Sequence, residues 1–137
     1  MKLAYVTETF AVSPQLEPGD IRGLADAGFA TVICNRPDGE EPGQPTVASM
    51  RKAAEAAGLA FHHIPVSGGE FPPVAIRSFA KVREEAHGKV LAFCRTGTRS
   101  ITLDALANVE NETADDRINR AKRAGYDLSG LRDRLGE

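Results

Sequence analysis

One cysteine, Cys94, begins a short polar segment whose residue types suit nucleophilic chemistry. The segment 94–100, CRTGTRS, follows the apolar run 90–93 and precedes a helical pattern over 101–108. Gly97 permits a tight turn, and the following helix would direct its free N–H groups and positive dipole end at the thiol. These surroundings favour the thiolate, which is the nucleophilic form of cysteine.

The other side chains of this segment predict an anion-binding loop around the nucleophile. Arg99 carries a planar guanidinium that suits an oxyanion such as phosphate or sulfonate, so Cys94 and Arg99 are the predicted catalytic pair. Charged, hydroxyl or backbone donors complete the predicted loop at Arg95, Thr96, Gly97, Thr98 and Ser100. A cysteine at a strand end is often only a small core residue, but this set of neighbours exceeds what packing requires.

Strand and helix patterns alternate along the chain. The predicted strands are 3–6, 10–12, 29–35, 60–66 and 90–93. The predicted helices are 19–27, a helix capped by Thr46 and ended by Gly58, 72–87, 101–108, a helix capped by Thr113 and ended by Gly125, and a short segment at 129–135. This order predicts an α/β fold with a mainly parallel central sheet flanked by helices.

Three polar loops follow strands and should meet at the carboxyl edge of such a sheet, where ligands bind. They are 35–45, 65–73 and 94–100. Candidate pocket residues on or near these loops are Gln15, Cys34, Arg36, Glu40 and Glu70. An Arg–Glu pair can also simply brace a loop. His62 and His63 alternate across their strand without a suitably spaced third ligand, so we predict neither a metal site nor another cofactor.

Composition narrows the classes of function. The 137 residues suggest one domain, 1–137, with 42% hydrophobic residues and a formal net charge of −2. That charge predicts no attraction to nucleic acid or to an anionic membrane. Two cysteines without a secretory signal predict reduced thiols and a cytoplasmic location.

Four blocks resemble the bacterial phosphatase-like domain family related to the beta-lactamase hydrolase-like proteins. They are VSPQL (12–16), VICNRPDGEEPGQP (32–45), HHIPVSGGE (62–70) and CRTGTRS (94–100). Members are described as sulfur transferases or as tyrosine-phosphatase-like proteins. The resemblance implies a dual-specificity (tyrosine) phosphatase-like fold, with Cys94 as nucleophile and Arg99 as anion-binding residue. Asp104 departs from the bulky apolar residue that relatives often have there.

The length of the nucleophile loop favours one of these two activities. Four residues separate Cys94 from Arg99, whereas tyrosine phosphatases have five, and the spacing resembles the Cys-x-x-Gly-x-Arg loop of single-domain rhodaneses. We therefore expect a sulfurtransferase that holds a persulfide on Cys94. Its partners would be an anionic donor such as thiosulfate or a persulfide, a thiol acceptor and a sulfide-oxidising enzyme. The alternatives are a cysteine-dependent phosphatase and a non-catalytic persulfide carrier.

In the fold that the resemblance implies, strand 29–35 neighbours strand 90–93. Cys34 and Cys94 would then lie at adjacent strand ends, and neighbouring strands run ~4.8 Å apart. Cys34 could capture an oxidised Cys94 as a disulfide, although filling space in a buried strand is the commoner role of such a cysteine.

Overall fold

A computed structural model describes residues 1–136 and contains a five-stranded sheet. The strands are β1 (Ala4–Tyr5), β2 (Phe10–Ser13), β3 (Phe29–Cys34), β4 (Ala60–His63) and β5 (Lys89–Phe93). Their order across the sheet is β1-β2-β5-β3-β4, with β1 antiparallel to β2 and all other pairs parallel. The predicted, mainly parallel α/β architecture is confirmed.

Six α-helices surround the sheet in the described part of the chain. They are α1 (Ile21–Asp26), α2 (Val47–Ala56), α3 (Pro73–Glu85), α4 (Thr98–Ala107), α5 (Ala114–Arg123) and α6 (Arg132–Leu135). Thr46 and Thr113 cap α2 and α5 as predicted, since each side chain accepts a hydrogen bond from the amide three residues on. None of the described helices is long and apolar enough to cross a membrane.

The alternation of side chains along the strands creates a core on each face of the sheet. On one face Val12, Ile33 and Ala92 pack with α3, α4 and α5, for example against Phe79. On the other face Val32, Leu91 and Phe93 pack with α1 and α2. Both faces of β5 and β3 are therefore buried, as expected for central parallel strands.

Several element boundaries differ from the sequence prediction. The strand predicted at 60–66 ends at His63, and the helix predicted at 19–27 is a 3₁₀ turn, Pro18–Asp20, followed by α1. The helix predicted at 101–108 begins three residues earlier, at Thr98. That earlier start shortens the loop after Cys94, because Gly97 at φ +97° already stands at the helix N-cap.

Candidate active site

The nucleophile loop, residues 94–100, connects the end of β5 to the first turn of α4. The backbone amide of Gly97 donates a hydrogen bond to Cys94 Sγ at 3.1 Å. Arg99 also lies beside this sulfur. Cys94 is fully buried. The thiol thus sits among an N-terminal helix amide, the positive end of the helix dipole and a guanidinium, as predicted for a nucleophile that acts on anions.

Arg99 joins the three loops that the sequence places at this edge of the sheet. Its Nη1 donates to the Val66 carbonyl of the 65–73 loop at 2.9 Å. Its Nη1 and Nη2 each donate at 2.8 Å to a different carboxylate oxygen of Glu40, in the 35–45 loop. The predicted convergence of the three loops is therefore confirmed, and Glu40 occupies the face of Arg99 that we predicted to bind an anion.

Arg36 is the buried support of the 35–45 loop. Its guanidinium donates to Glu40 at 2.9 Å, Glu41 at 2.9 Å and Gln15 at 3.0 Å, and the residue is only 1% exposed. The predicted pocket residues Gln15, Arg36 and Glu40 thus form one cluster next to Arg99. Hydrogen bonds from Arg99, with a smaller contribution from Arg36, lower the pKa of Glu40 from 4.5 to about 2.

The remaining members of the predicted loop have different roles. Arg95 is exposed and lies 3.8 Å from Glu41. Thr96 Oγ1 and Thr98 Oγ1 are hydrogen-bonded to each other at 3.2 Å. The Ser100 hydroxyl, which we expected to serve the sulfur or an anion, donates instead to Asn35 Oδ1 at 2.8 Å. Ser100 therefore braces the loop against the end of β3.

Glu70 and Cys34 take no part in the side-chain hydrogen bonds that join Gln15, Arg36, Glu40 and Arg99. Glu70 is exposed and does not line the cavity of about 480 Å³ formed by Arg36, Glu40, Glu41, Gly68, Arg95 and Arg99. Cys34 is opposite Phe93 in the β3–β5 register, and its thiol contacts the Arg36 carbonyl at 3.5 Å. Burial raises the pKa of Cys34 to about 11. The predicted strand adjacency is confirmed and both thiols are free, so disulfide capture stays a prediction.

Two residues of the site had no place in the sequence analysis. Asn35, fully buried, accepts from Ser100 and donates to the Ile64 carbonyl at 2.8 Å, which ties the ends of β3 and β4 to α4. Tyr126, just beyond α5, donates its hydroxyl to the Thr96 carbonyl at 2.9 Å. A polar residue directly after a buried strand was the available signal for Asn35; Tyr126 is distant in sequence and had none.

Comparison with known proteins agrees with this site and fold. A crystal structure of a candidate phosphatase from Neisseria meningitidis matches with a TM-score of 0.87 and 38% identity, covering 99% of this chain and 97% of that one. The crystal structure of a mutant form of Tk-PTP matches with a TM-score of 0.76 and 19% identity over 98% of this chain and 91% of that one, which shows the fold alone. The dual-specificity (tyrosine) phosphatase-like fold is thus confirmed, and the Neisseria meningitidis match supports the phosphatase alternative over the sulfurtransferase expectation.

Curated relatives are longer than this chain. The beta-lactamase hydrolase-like protein of Agrobacterium fabrum is 40% identical over 134 residues, and that of Xylella fastidiosa is 35% identical over 130. Each alignment covers 93% of this chain but only 30% of the relative. The family model for the phosphatase-like domain of beta-lactamase hydrolase-like proteins matches residues 2–111. The chain belongs to this family of phosphatase-like domains.

Proposed function

We propose that the chain is a cysteine-dependent phosphatase that forms a phosphocysteine on Cys94. The observation that carries this proposal is the placement of Cys94 Sγ, 3.1 Å from the Gly97 amide and beside Arg99, at the N-terminus of α4. The family and the Neisseria meningitidis structure support the same class of enzyme.

The proposed reaction has two steps. Cys94 thiolate attacks the phosphorus of a phosphate monoester, the Sγ–P bond forms, and the P–O bond to the leaving group breaks with its electron pair on oxygen. Water then attacks phosphorus, the Sγ–P bond breaks, and inorganic phosphate and the thiolate are released. Arg99 and the loop amides stabilise the charge on the phosphoryl oxygens, for which Arg99 must exchange Glu40 for substrate.

The carboxylates near the loop limit the choice of substrate. Glu40 has a pKa of about 2 and is ionised at neutral pH, so it does not donate a proton to a leaving group. The Asp38 carboxylate accepts the Val47 amide at the start of α2 at 2.8 Å. We therefore expect preference for leaving groups that depart as stable anions, such as acidic phenols.

Sulfur transfer is the second candidate, because the nucleophile loop is one residue shorter than that of tyrosine phosphatases. A shorter loop offers fewer amide donors, and Gly97 supplies the one that the structure places on Cys94 Sγ. In this reaction Sγ attacks the outer sulfur of thiosulfate, the S–S bond breaks, and sulfite leaves with the electron pair. Cyanide or a thiol then takes the sulfur. Because sulfite departs as a stable anion, this reaction needs no general acid to protonate the leaving group.

One pair of assays on the purified chain separates the candidates. Hydrolysis of p-nitrophenyl phosphate and phenyl phosphate is compared with thiosulfate-to-cyanide transfer, and the acid-quenched protein is weighed for a phosphoryl group or an extra sulfur atom on Cys94. We expect p-nitrophenyl phosphate to be hydrolysed much faster than phenyl phosphate, and Cys94→Ser to abolish both reactions. Arg99→Lys should lower kcat/KM ~10–100-fold through loss of bidentate binding, whereas Arg22→Lys on α1 should not.

Each outcome favours one reading. Thiosulfate turnover far above aryl-phosphate turnover, with a persulfide on Cys94, would replace the phosphatase proposal with the sulfurtransferase. A stable Cys94 persulfide without turnover of either substrate would favour the non-catalytic carrier.

A further inference from the structure

A second cavity, of about 510 Å³, borders the nucleophile loop at Thr96. Tyr126, whose hydroxyl donates to the Thr96 carbonyl, also lines this cavity. Its lining includes Lys2, Tyr5, Pro14, Thr96, Arg123 and Tyr126. This cavity lies outside the Arg36–Glu40–Arg99 cluster, and the proposed reaction leaves it without a role.

The fold brings this cavity to the catalytic edge of the sheet. In the β1–β2 register Ala4 is opposite Val12, so continuing the antiparallel pairing places Lys2 beside Pro14, just past the carboxyl end of β2. The next residue, Gln15, donates its amide to the Arg95 carbonyl at 3.1 Å. The chain segment beside Lys2 is therefore attached directly to the nucleophile loop.

Tyr126 joins the other side of the cavity to the same loop. Arg123 ends α5, and the chain turns through Gly125 at φ +99° before Tyr126. The Tyr126 hydroxyl donates to the Thr96 carbonyl at 2.9 Å. Burial, with a smaller contribution from the nearby Cys94, raises the pKa of Tyr126, which agrees with its position close to the nucleophile.

The charges of the lining point to an anionic ligand. Lys2 and Arg123 are its only ionised side chains at neutral pH, and neither forms an ion pair within residues 1–136. Among residues 1–136 no carboxylate lines the cavity, in contrast to the active-site cavity with Glu40 and Glu41. The remaining lining residues are uncharged, and Leu3, Tyr5 and Pro14 among them can contact the organic part of a ligand.

We propose that this cavity is a subsite for a second anionic group of the substrate. The substrate class is then a small organic phosphate whose leaving group carries another phosphate or a carboxylate. Its reacting phosphoryl group would lie at Cys94 and Arg99, and its second anion would lie between Lys2 and Arg123. This inference rests on the proposed function for the identity of the reacting group.

Binding to Cys94→Ser protein tests the subsite without turnover. The probes are alkyl monophosphates, the matching α,ω-alkyl bisphosphates of increasing chain length, and ω-carboxyalkyl phosphates. We expect a bisphosphate of one chain length to bind ~10-fold more tightly than its monophosphate. Adding Lys2→Ala and Arg123→Ala together should remove that gain and leave monophosphate affinity unchanged, whereas the charge-matched pair Arg22→Ala and Lys52→Ala should keep it. The carboxylate probes show which second anion is preferred.

The experiments give different results if the subsite proposal is wrong and if the phosphatase proposal is wrong. Bisphosphates no tighter than monophosphates, or an equal loss of the gain in both double variants, would overturn the subsite while aryl-phosphate hydrolysis still stands. A Lys2- and Arg123-dependent gain in a protein that hydrolyses no aryl phosphate would support the subsite and overturn the phosphatase alone.

Discussion

Glu40 pairs with Arg99, the residue to which the proposed function assigns the substrate anion. Its two carboxylate oxygens bind the two terminal nitrogens of Arg99 in the geometry that a bound oxyanion would use. Arg36, buried and also bonded to Glu41 and Gln15, keeps Glu40 in place. Under the proposed function, an incoming anion would therefore compete with this internal carboxylate for Arg99.

The Glu40→Gln variant removes the negative charge that pairs with Arg99. Glu40→Gln should bind inorganic phosphate about tenfold more tightly, because one negative charge next to the site is lost. The same change should lower kcat, since Arg99 loses the partner that orients it. Inhibition by phosphate and turnover of p-nitrophenyl phosphate measure the two effects, with Glu55→Gln on the exposed side of α2 as control. Weaker phosphate binding in Glu40→Gln would contradict the competition.

Position 97 favours glycine because its φ is positive and because Tyr126 leaves no room for a Cβ atom. Its φ is +97°, and a Cβ added there would lie 2.1 Å from the Tyr126 hydroxyl oxygen. Gly97→Ala should lower the free energy of unfolding by about 2 kcal/mol more than Gly58→Ala, where φ is +82° and the space around the added Cβ is open. Urea unfolding of both variants tests this. Equal losses would mean that Tyr126 moves away at no cost.

The secondary-structure elements and the meeting of the three loops were largely predictable from the sequence, and the side-chain contacts that brace the loops were not. Caps at Thr46 and Thr113 and the apolar run before Cys94 are local signals, so they identify α2, α5 and β5 correctly. The roles of Asn35 and Tyr126 depend on partners 29–65 residues away in the chain. Sequence patterns carry no register across such distances, so the bracing of the loop had to come from the structure.

Asp104 illustrates the same limit within α4. The sequence shows it only as a departure from the usual apolar residue. In the structure it faces Arg83 of α3 at 2.6 Å, with side chains 7% and 4% exposed. Arg83 also binds Glu110 at 2.8 Å and covers the Phe10 ring at 4.3 Å. A buried ion pair thus replaces part of the apolar contact between the two helices.

Removing only one partner of the Arg83–Asp104 ion pair should lower the free energy of unfolding more than replacing both partners with apolar residues. Arg83→Met leaves the Asp104 carboxylate buried without its partner and should destabilise the chain by about 3 kcal/mol at neutral pH. Combining it with Asp104→Leu should restore stability to within about 1 kcal/mol of wild type, because apolar packing then takes the place of the pair. A double-mutant cycle by urea unfolding gives the coupling energy. Additive losses would show that the two side chains do not interact.

Across the whole molecule, acid should act on stability in two opposite ways. Burial raises the pKa of Asp104 from 3.8 to about 6, although the positive charge of Arg83 acts to lower it. The folded state therefore binds a proton on Asp104 more tightly than the unfolded state does. Asp104 therefore adds stability as the pH falls from about 6 towards 3.8. Glu40 has the reverse sign: its pKa falls from 4.5 to about 2, so its contribution is lost as the pH drops from 4.5 towards 2.

Substitutions at Asp104 and Glu40 separate the contributions of these two residues to the pH dependence of stability from those of other titrating groups. Burial lowers the pKa of His62, so protonation of His62 by acid destabilises the folded chain. The pKa values of Glu41 and Asp127 are also lowered, so their protonation adds to the loss of stability at low pH. Asp104→Asn should remove about 1–2 kcal/mol of the gain between pH 6 and 4, and Glu40→Gln a similar part of the loss between pH 4.5 and 2. Urea unfolding at each pH gives these differences, with Glu55→Gln as control. A wild-type-like pH profile in Asp104→Asn would mean that the Arg83 pair keeps Asp104 ionised throughout this range.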